Sequence, residues 1–313
     1  MPFLCLLACA PDESAGLTES STGTETTEAT ETTGTDGTAD ALCPAGRCTP
    51  GMLLIEPELV QDILAQPEAN DWRVLDLRPY QGYVAGHLPD ARWLDPDLLR
   101  DEVDGVSGQV ASMEVVAELL ATRKINYTTE VLAVDDGTGL AAARTIWTLG
   151  HYGLRGRVLH GGHPGWVAAG GEISTDIPPD YLGNPPNLGI QSGLRVDATW
   201  VQDHLTDASV TFVDARTPEE YAAGRIPGAY LQPWTATKSG SRFLPPDELR
   251  SLYEASGALP TPSPEQTLVA YCQTGTRASV TWLTLKLLGY ANVRIYDGSW
   301  EEWSTIPDAP QEP

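Results

Sequence analysis

Apolar residues along the chain form short runs that alternate with longer stretches in which apolar positions recur at helical spacing. The short runs lie at residues 73–77, 131–134, 157–160, 211–215, 267–271 and 293–296. Between them, side chains such as Val280, Leu283 and Leu287 follow the spacing of a helix with one apolar face. Strands that alternate with helices predict an α/β fold, with parallel sheets covered by helices on both faces.

The runs belong to an internal repeat. Residues 74–91 (VLDLRPYQGYVAGHLPDA) align without a gap on residues 212–229 (FVDARTPEEYAAGRIPGA), at an offset of 138. Residues 158–166 (VLHGGHPGW) match residues 295–303 (IYDGSWEEW) at an offset of 137, and the segment that begins LAVDDGTG falls on the one that begins VAYCQTGT. A period this long predicts duplicated domains and not a solenoid.

The repeat divides the chain into two predicted domains, the first at residues 51–178 and the second at residues 194–307. Residues 179–193, rich in Pro and Gly, are the expected linker, and residues 308–313 are a tail. Residues 10–50 are rich in Thr, Glu and Gly. Because they contain too few large apolar side chains to form a core, we predict a disordered tether.

Residues 1–9 are apolar, and LLAC at residues 6–9 resembles a bacterial lipobox. On this hypothesis residues 1–9 are a lipoprotein signal, Cys9 is lipidated, and the lipid anchors the protein in the bacterial cell envelope, on its periplasmic or surface side. The outer membrane is favoured because Ala10, and not Asp, follows the cysteine. An ordinary truncated signal peptide or a chance match are the alternatives, since the basic region expected of a signal is missing.

The other cysteines divide by position. Cys43 and Cys48 enclose four residues of a Pro/Gly turn, and in an exported protein this spacing favours a small disulfide loop. Half of a metal site is the alternative, although no second cysteine pair or histidine cluster accompanies it. Cys272 then lies in the second predicted domain without a partner for a disulfide.

The charge balance excludes one class of partner. Lys and Arg number 19 and Asp and Glu number 43, which gives a formal net charge of -24. Because affinity for nucleic acid depends on basic residues that neutralise phosphates, we expect no nucleic-acid partner. His160 and His163, in HGGH, predict no metal site, and the sequence has no phosphate-binding or dinucleotide motif that would imply a cofactor. No apolar stripe demands a second subunit, so we expect a monomer.

Cys272 is the candidate nucleophile. It ends an apolar run and opens a short loop, after which a helix is predicted to begin near Ala278. The N–H groups of such a loop and of the helix start converge on one spot, where they bind an anion and favour the thiolate. The substrate-binding residues of this loop are then Gln273, Thr274, Gly275, Thr276 and Arg277. A buried structural cysteine is the alternative interpretation.

Three motifs together resemble those of tandem rhodaneses: residues 214–229, the Cys-x4-Arg loop at residues 272–277, and YDGSWEEW at residues 296–303. The resemblance covers roughly residues 52–307. It implies two rhodanese-like domains, of which the second is catalytic and the first is an inactive copy that closes the other side of the cleft. Asp135 stands at the position that matches Cys272, and a carboxylate cannot form a persulfide.

The resemblance also implies an activity, that of a thiosulfate sulfurtransferase. The Cys272 thiolate would take the outer sulfur of thiosulfate as a persulfide and pass it to cyanide or a thiol, while Arg277 holds the sulfonate. Mercaptopyruvate sulfurtransferases are similar, but Gln273 and Arg277 depart from their loop, and Glu220 stands where their donor-binding arginine is expected. Two alternatives are a non-catalytic persulfide-binding or redox-sensing module and a phosphatase, whose Cys-x5-Arg loop is one residue longer.

Four further residues lie close to these motifs. Asp214 and Arg216 recur as a pair in the copy that lacks the cysteine, so a structural role is expected for them, with a place at the cleft as the alternative. Trp234 and Lys238, in PWTATK, are predicted either to edge the cleft or to pack in a surface loop.

Overall fold

The computed structural model describes residues 53–66, 71–179, 181–258 and 266–313. The predicted lipidation site at Cys9, the tether, and the predicted Cys43–Cys48 disulfide lie outside these residues. Within the described ranges, no helix has the length and apolar character needed to cross a membrane. The same ranges contain no group of three or more His, Cys, Asp and Glu side chains that could hold a metal ion.

The first half of the described chain is built on a five-stranded sheet. The strands of this half, five in the sheet and two in a separate hairpin, are β1 (Leu54–Ile55), β2 (Trp72–Asp76), β3 (Arg92–Trp93), β4 (Arg100–Val103), β5 (Val106–Val110), β6 (Glu130–Val134) and β7 (Arg155–Leu159). Its helices are α1 (Pro57–Leu64), α2 (Tyr80–Ala85), α3 (Met113–Ala121), α4 (Leu140–His151) and α5 (Gly162–Ala168). The sheet is parallel, in the order β1-β7-β6-β2-β3, and β4 and β5 form a separate antiparallel hairpin.

The second half repeats this plan. Its strands are β8 (Arg195–Val196), β9 (Val210–Asp214), β10 (Tyr230–Leu231), β11 (Lys238–Ser239), β12 (Arg242–Phe243), β13 (Thr267–Tyr271) and β14 (Val293–Tyr296). Its helices are α6 (Ala198–Asp203), α7 (Pro218–Ala223), α8 (Pro246–Ala255), α9 (Thr276–Leu287) and α10 (Ser299–Trp303). The parallel order β8-β14-β13-β9-β10 is that of the first sheet, strand for strand, and β11 pairs with β12.

Both sheets are buried on two faces. Since successive residues of a strand point in opposite directions, neighbouring residues of one strand lie in different parts of the core. In β13, Leu268 belongs to one hydrophobic cluster and Val269 belongs to another on the opposite face. The first of these clusters also contains Ile146 of α4 and Leu283 of α9, so the two halves share one continuous core. The predicted α/β class, with parallel sheets flanked by helices, is confirmed.

The hairpins β4–β5 and β11–β12 differ from the expectation of a purely helical stretch between the first two long strands of each half. The residues of β4 are polar and largely exposed, and β11 and β12 have two residues each. Neither hairpin therefore shows the alternation of apolar and polar residues that identifies a half-buried strand. These hairpins prove to be the elements that cover the two strand-to-helix loops described below.

Candidate active site

Cys272 is the first residue after β13, at the carboxyl end of a central parallel strand, and its side chain is 1% exposed. Its N–H donates to Oγ of Ser299 at 3.2 Å, and its carbonyl oxygen accepts the N–H of Trp300 at 3.0 Å. Both partners belong to α10, so the YDGSWEEW motif fixes the backbone of the cysteine. Ligands of open α/β sheets bind at this carboxyl edge, which makes the loop after Cys272 the candidate active site.

Residues 272–275 join β13 to α9, which begins at Thr276, two residues before Ala278, near which its start was expected. Gly275 caps the helix in the left-handed region, with a φ of 82°, and a Cβ added there would lie 2.8 Å from Oδ1 of Asp297. Only glycine fits both constraints. The tight turn brings the amino end of α9, with its unpaired N–H groups and partial positive charge, close to Cys272.

Arg277 lies between Cys272 and a carboxylate. Its two terminal nitrogens donate to the two oxygens of Glu220, each at 2.7 Å. The pKa of Arg277 is raised by this hydrogen bond and by the neighbouring Cys272. The same bond lowers the pKa of Glu220 to about 2. The sequence predicted that Arg277 contributes a positive charge to the loop. In the structure this charge is paired with the carboxylate of Glu220.

Two more arginines contact the loop from the first half of the chain. Arg100 of β4 donates to Oγ1 of Thr276 at 3.0 Å and pairs with the carboxylate of Asp97. Arg144 of α4 is buried and pairs with Asp297 at 2.6 Å. A Cβ added at Gly275 would lie 2.8 Å from Oδ1 of Asp297 and 3.1 Å from Nη1 of Arg144. The sequence predicted Gly275 and Thr276 at the site and contained Asp297 only within a motif. It did not predict Arg100 and Arg144 there, because their contacts join segments far apart in the chain.

The hairpin β4–β5 forms the wall opposite the loop. A Cβ added at Gly108 of β5 would lie 2.8 Å from the carbonyl oxygen of Thr274. Ser107 donates through its N–H and hydroxyl to Oε1 of Glu301, at 3.1 and 2.7 Å, and the N–H of Val110 donates to Oδ2 of Asp297 at 2.7 Å. A cavity of about 370 Å³ lies between hairpin and loop, lined by Asp97, Arg100, Asp101, Glu102, Ser107, Gly108 and Thr274.

The first half contains the counterpart of the cysteine loop. Asp135 is the first residue after β6, is buried, and accepts the N–H groups of Gly137 at 2.9 Å and Ala142 at 3.3 Å. Burial raises the pKa of this carboxyl group. Five residues, 135–139, join β6 to α4, against four in the second half, and Gly139 takes the left-handed place of Gly275. The match of LAVDDGTG with VAYCQTGT is therefore off by one residue after Asp135, because the first loop contains one extra residue.

Trp234 and Lys238 lie at this counterpart loop. Lys238 donates to the carbonyl oxygen of Gly137, and burial lowers its pKa. Both side chains line a second cavity of about 390 Å³ together with Asp136 and Thr138. They are not among the described residues that line the cavity at Thr274. The second half thus covers the first half's loop, as the first half covers the second's.

Asp214 and Arg216 form a buried pair at the end of β9. Nη2 of Arg216 donates to Oδ2 of Asp214 at 2.7 Å and to the carbonyl oxygen of Gly224 at 2.7 Å, which ties the strand end to the end of α7. Asp76 and Arg78 repeat this arrangement in the first half, with Gly86 as the carbonyl partner. The geometry is the same in the half that lacks the cysteine, and it connects backbone elements.

Comparison with known proteins decides the family. The model of the rhodanese-like domain matches residues 57–169 and again residues 197–306. The chain belongs to the rhodanese family. It carries two copies of the domain, as the three motifs predicted, and the second copy of this rhodanese contains Cys272.

Several relatives of this rhodanese are named as sulfurtransferases. The chain is 32% identical to the thiosulfate sulfurtransferase of Pseudomonas aeruginosa over 275 residues, which cover 83% of this chain and 97% of that protein. It is 34% identical to a probable 3-mercaptopyruvate sulfurtransferase of the same species over 279 residues, covering 80% and 95%. The protein is therefore a member of a sulfurtransferase family whose members differ in their sulfur donors.

A solved structure shows the same fold in a larger protein. The anaerobic ergothioneine biosynthesis enzyme from Chlorobium limicola, in complex with trimethyl histidine, superposes with a TM-score of 0.73 at 25% identity. The match covers 83% of this chain and 70% of that one.

Proposed function

We propose that this rhodanese transfers the sulfane sulfur of thiosulfate to cyanide or a thiol through a persulfide on Cys272. The observation that supports the proposal most strongly is the position of Cys272, buried at the end of β13, next to the start of α9 and to Arg277. A helix amino end and a guanidinium both favour an anionic sulfur at this place.

The mechanism follows from this arrangement. The Cys272 thiolate attacks the outer sulfur of thiosulfate, the S–S bond of the donor breaks, and sulfite leaves with the bonding electron pair. The new S–S bond joins the transferred sulfur to Cys272 as a persulfide. Cyanide or a thiolate then attacks the terminal sulfur, and the Cys272 thiolate is restored. The N–H groups of residues 273–277 are the donors that stabilise the anionic sulfur in each step.

Loop length supports sulfur chemistry over phosphate chemistry. Gln273, Thr274, Gly275 and Thr276 are the only residues between the cysteine and Arg277. The small loop suits one sulfur atom, whereas a Cys-x5-Arg loop fits a phosphate. The choice between donors rests on other residues. Glu220 stands where an arginine for a donor carboxylate is expected, and this favours thiosulfate over 3-mercaptopyruvate. The latter is the second candidate because a relative at 34% identity has that name.

The first domain acts in this proposal as a non-catalytic partner. Asp135 cannot carry sulfur, and its carboxylate already accepts the N–H groups of Gly137 and Ala142 that surround it. The hairpin β4–β5 of the same domain supplies the wall opposite Thr274. The domain would thereby keep bulk water away from the persulfide and leave one cleft for donor and acceptor.

Membrane attachment is a separate proposal that rests on the amino-terminal sequence. We propose that Cys9 is lipidated, that residues 10–50 tether the enzyme to the cell envelope, and that Cys43 and Cys48 form a disulfide. The Cys9→Ala variant should move from the membrane fraction to the soluble fraction of the cell. A variant that stays in the membrane fraction would contradict lipidation at Cys9.

Steady-state release of sulfite from thiosulfate, in the presence of cyanide, tests the proposed activity. A sulfurtransferase releases many equivalents of sulfite for each protein molecule, and the Cys272→Ser variant releases none. A persulfide-binding module would stop after one equivalent. Turnover with 3-mercaptopyruvate but not with thiosulfate would support the second candidate.

A further inference from the structure

The arginines around the cysteine loop share one feature: each is paired with a carboxylate. Arg277 pairs with Glu220 and Arg100 pairs with Asp97, and each of these two pairs carries no net charge when both partners are ionised. Arg144 shares the buried carboxylate of Asp297 with Arg195. The positive charge of Arg277 and Arg100, which a strongly anionic substrate would use for binding, is therefore largely cancelled before the substrate arrives.

Glu220 matters most among these carboxylates, because its partner Arg277 is also the neighbour of the reacting sulfur. Two anchors hold Glu220 in place. Its carboxylate accepts the N–H of Thr217 at 3.0 Å, and its own N–H donates to Oγ1 of Thr217 at 3.2 Å, which is a capping box at the start of α7. The carboxylate is thus fixed by the helix as well as by the ion pair.

The charged groups next to the reacting sulfur sum to a negative charge. Glu220, Arg277 and a Cys272 thiolate together carry one net negative charge. Thiosulfate brings two more negative charges to this place, whereas a donor with a single negative charge brings one. The repulsion grows with the charge of the donor, and the half-buried position of Arg277 and Glu220 limits screening by solvent.

We propose that Glu220 is a specificity-determining residue: among donors that carry no carboxylate, it makes this site prefer singly charged sulfur donors over doubly charged thiosulfate. The preferred donor is a thiosulfonate monoanion or a hydropersulfide monoanion. In the first, an organic group replaces one charged oxygen of thiosulfate, and in the second it replaces the whole sulfonate. The inference rests on the proposed transfer of sulfur to Cys272, and it ranks donors within that activity.

Two donors of matched chemistry separate charge from reactivity. With thiosulfate, the Cys272 thiolate attacks the outer sulfur and sulfite leaves. With methanethiosulfonate, the thiolate attacks the equivalent sulfur, the donor S–S bond breaks, and methanesulfinate leaves with the electron pair. The protein ends as the same Cys272 persulfide in both reactions. The two donors differ at one position, where methanethiosulfonate has a methyl group and thiosulfate has a negatively charged oxygen.

The test compares Glu220→Gln with Glu219→Gln. Glutamine keeps the capping hydrogen bond to Thr217 but loses the charge, and Glu219 is an exposed carboxylate on the same helix, one residue away. We expect Glu220→Gln to raise the ratio of kcat/KM for thiosulfate to kcat/KM for methanethiosulfonate by about tenfold, the effect of one unit charge at contact distance. Glu219→Gln should change the ratio by less than about twofold, because its charge is solvated.

Other results would overturn the inference. If Glu220→Gln lowers kcat/KM equally for both donors, Glu220 only positions Arg277 and does not select donors. Should Glu220→Gln fail to fold, Glu220→Ala is measured in its place, because it also removes the charge and should raise the same ratio. An unchanged ratio in a folded variant that lacks this charge would contradict the inference. If wild type takes sulfur from neither donor, the proposed function itself has failed.

Discussion

Gly108 of the first domain lies directly against Thr274 of the second, so that a Cβ on the glycine would be 2.8 Å from the threonine carbonyl oxygen. Gly108 also has a φ of 76°, in the left-handed region. This contact joins strand β5 of the β4–β5 hairpin to the loop that carries Cys272. The shape of the cleft thus depends on a residue of the domain that has no nucleophile.

We predict that Gly108→Ala lowers kcat/KM for thiosulfate about tenfold or more, because the new methyl group forces the hairpin away from the loop. Gly105→Ala is the matched control. Gly105 has a φ of 80°, but an added Cβ there meets nothing within 4 Å. Both variants share the backbone strain of about 1–2 kcal/mol. Equal activities of the two variants would show that the contact with Thr274 has no role.

Removal of the buried carboxylate of Asp297 is predicted to destabilise the protein strongly. It pairs with Arg144 and accepts the N–H of Val110, both from the first domain. Asp297→Asn leaves the buried guanidinium without its counter-charge, so we expect unfolding in urea to show a loss of about 3–5 kcal/mol. Glu312→Gln, which removes the exposed partner of Arg225, should cost about 1 kcal/mol or less. Similar losses in both variants would contradict the prediction.

The ion pair of Glu220 and Arg277 should make stability depend on pH in the acid range. The pKa of Glu220 is about 2 in the folded protein and 4.5 in its ordinary state, so the folded protein binds fewer protons between these values. The stabilisation by Glu220 is therefore complete above about pH 4.5 and is lost as the pH falls toward 2. Glu220→Gln should lower the melting temperature at pH 6 by more than it does at pH 3. The same difference at both pH values would exclude this linkage.

The sequence predicted the sheets because their strands are buried on both faces. Runs such as residues 131–134 and 267–271 are apolar throughout, and the repeat places them in equivalent positions of two domains. The position of Cys272 between such a run and a helix was equally visible, because Gly275 and the helical spacing of Val280 and Leu283 mark the turn and the helix. Local signals were sufficient for these elements.

The wall of the cleft could not be predicted in the same way. The hairpin β4–β5 mixes charged, polar and valine residues, and its contacts with Thr274, Asp297 and Glu301 join residues more than a hundred positions apart. The pairing of Arg277 with Glu220 bridges 57 positions and depends on the sheet order, which places β9 beside β13. The extra residue in the loop of Asp135 was hidden because Gly137 and Gly139 both match a glycine-containing loop.

Intact mass of the purified full chain after brief exposure to thiosulfate tests sulfur transfer to Cys272 most directly. We predict a gain of one sulfur atom, which is lost when cyanide is added and is absent from Cys272→Ser. The control variant is needed because four further cysteines lie outside the described residues. No gain with any sulfur donor, or the same gain in Cys272→Ser, would contradict Cys272 as the sulfur carrier.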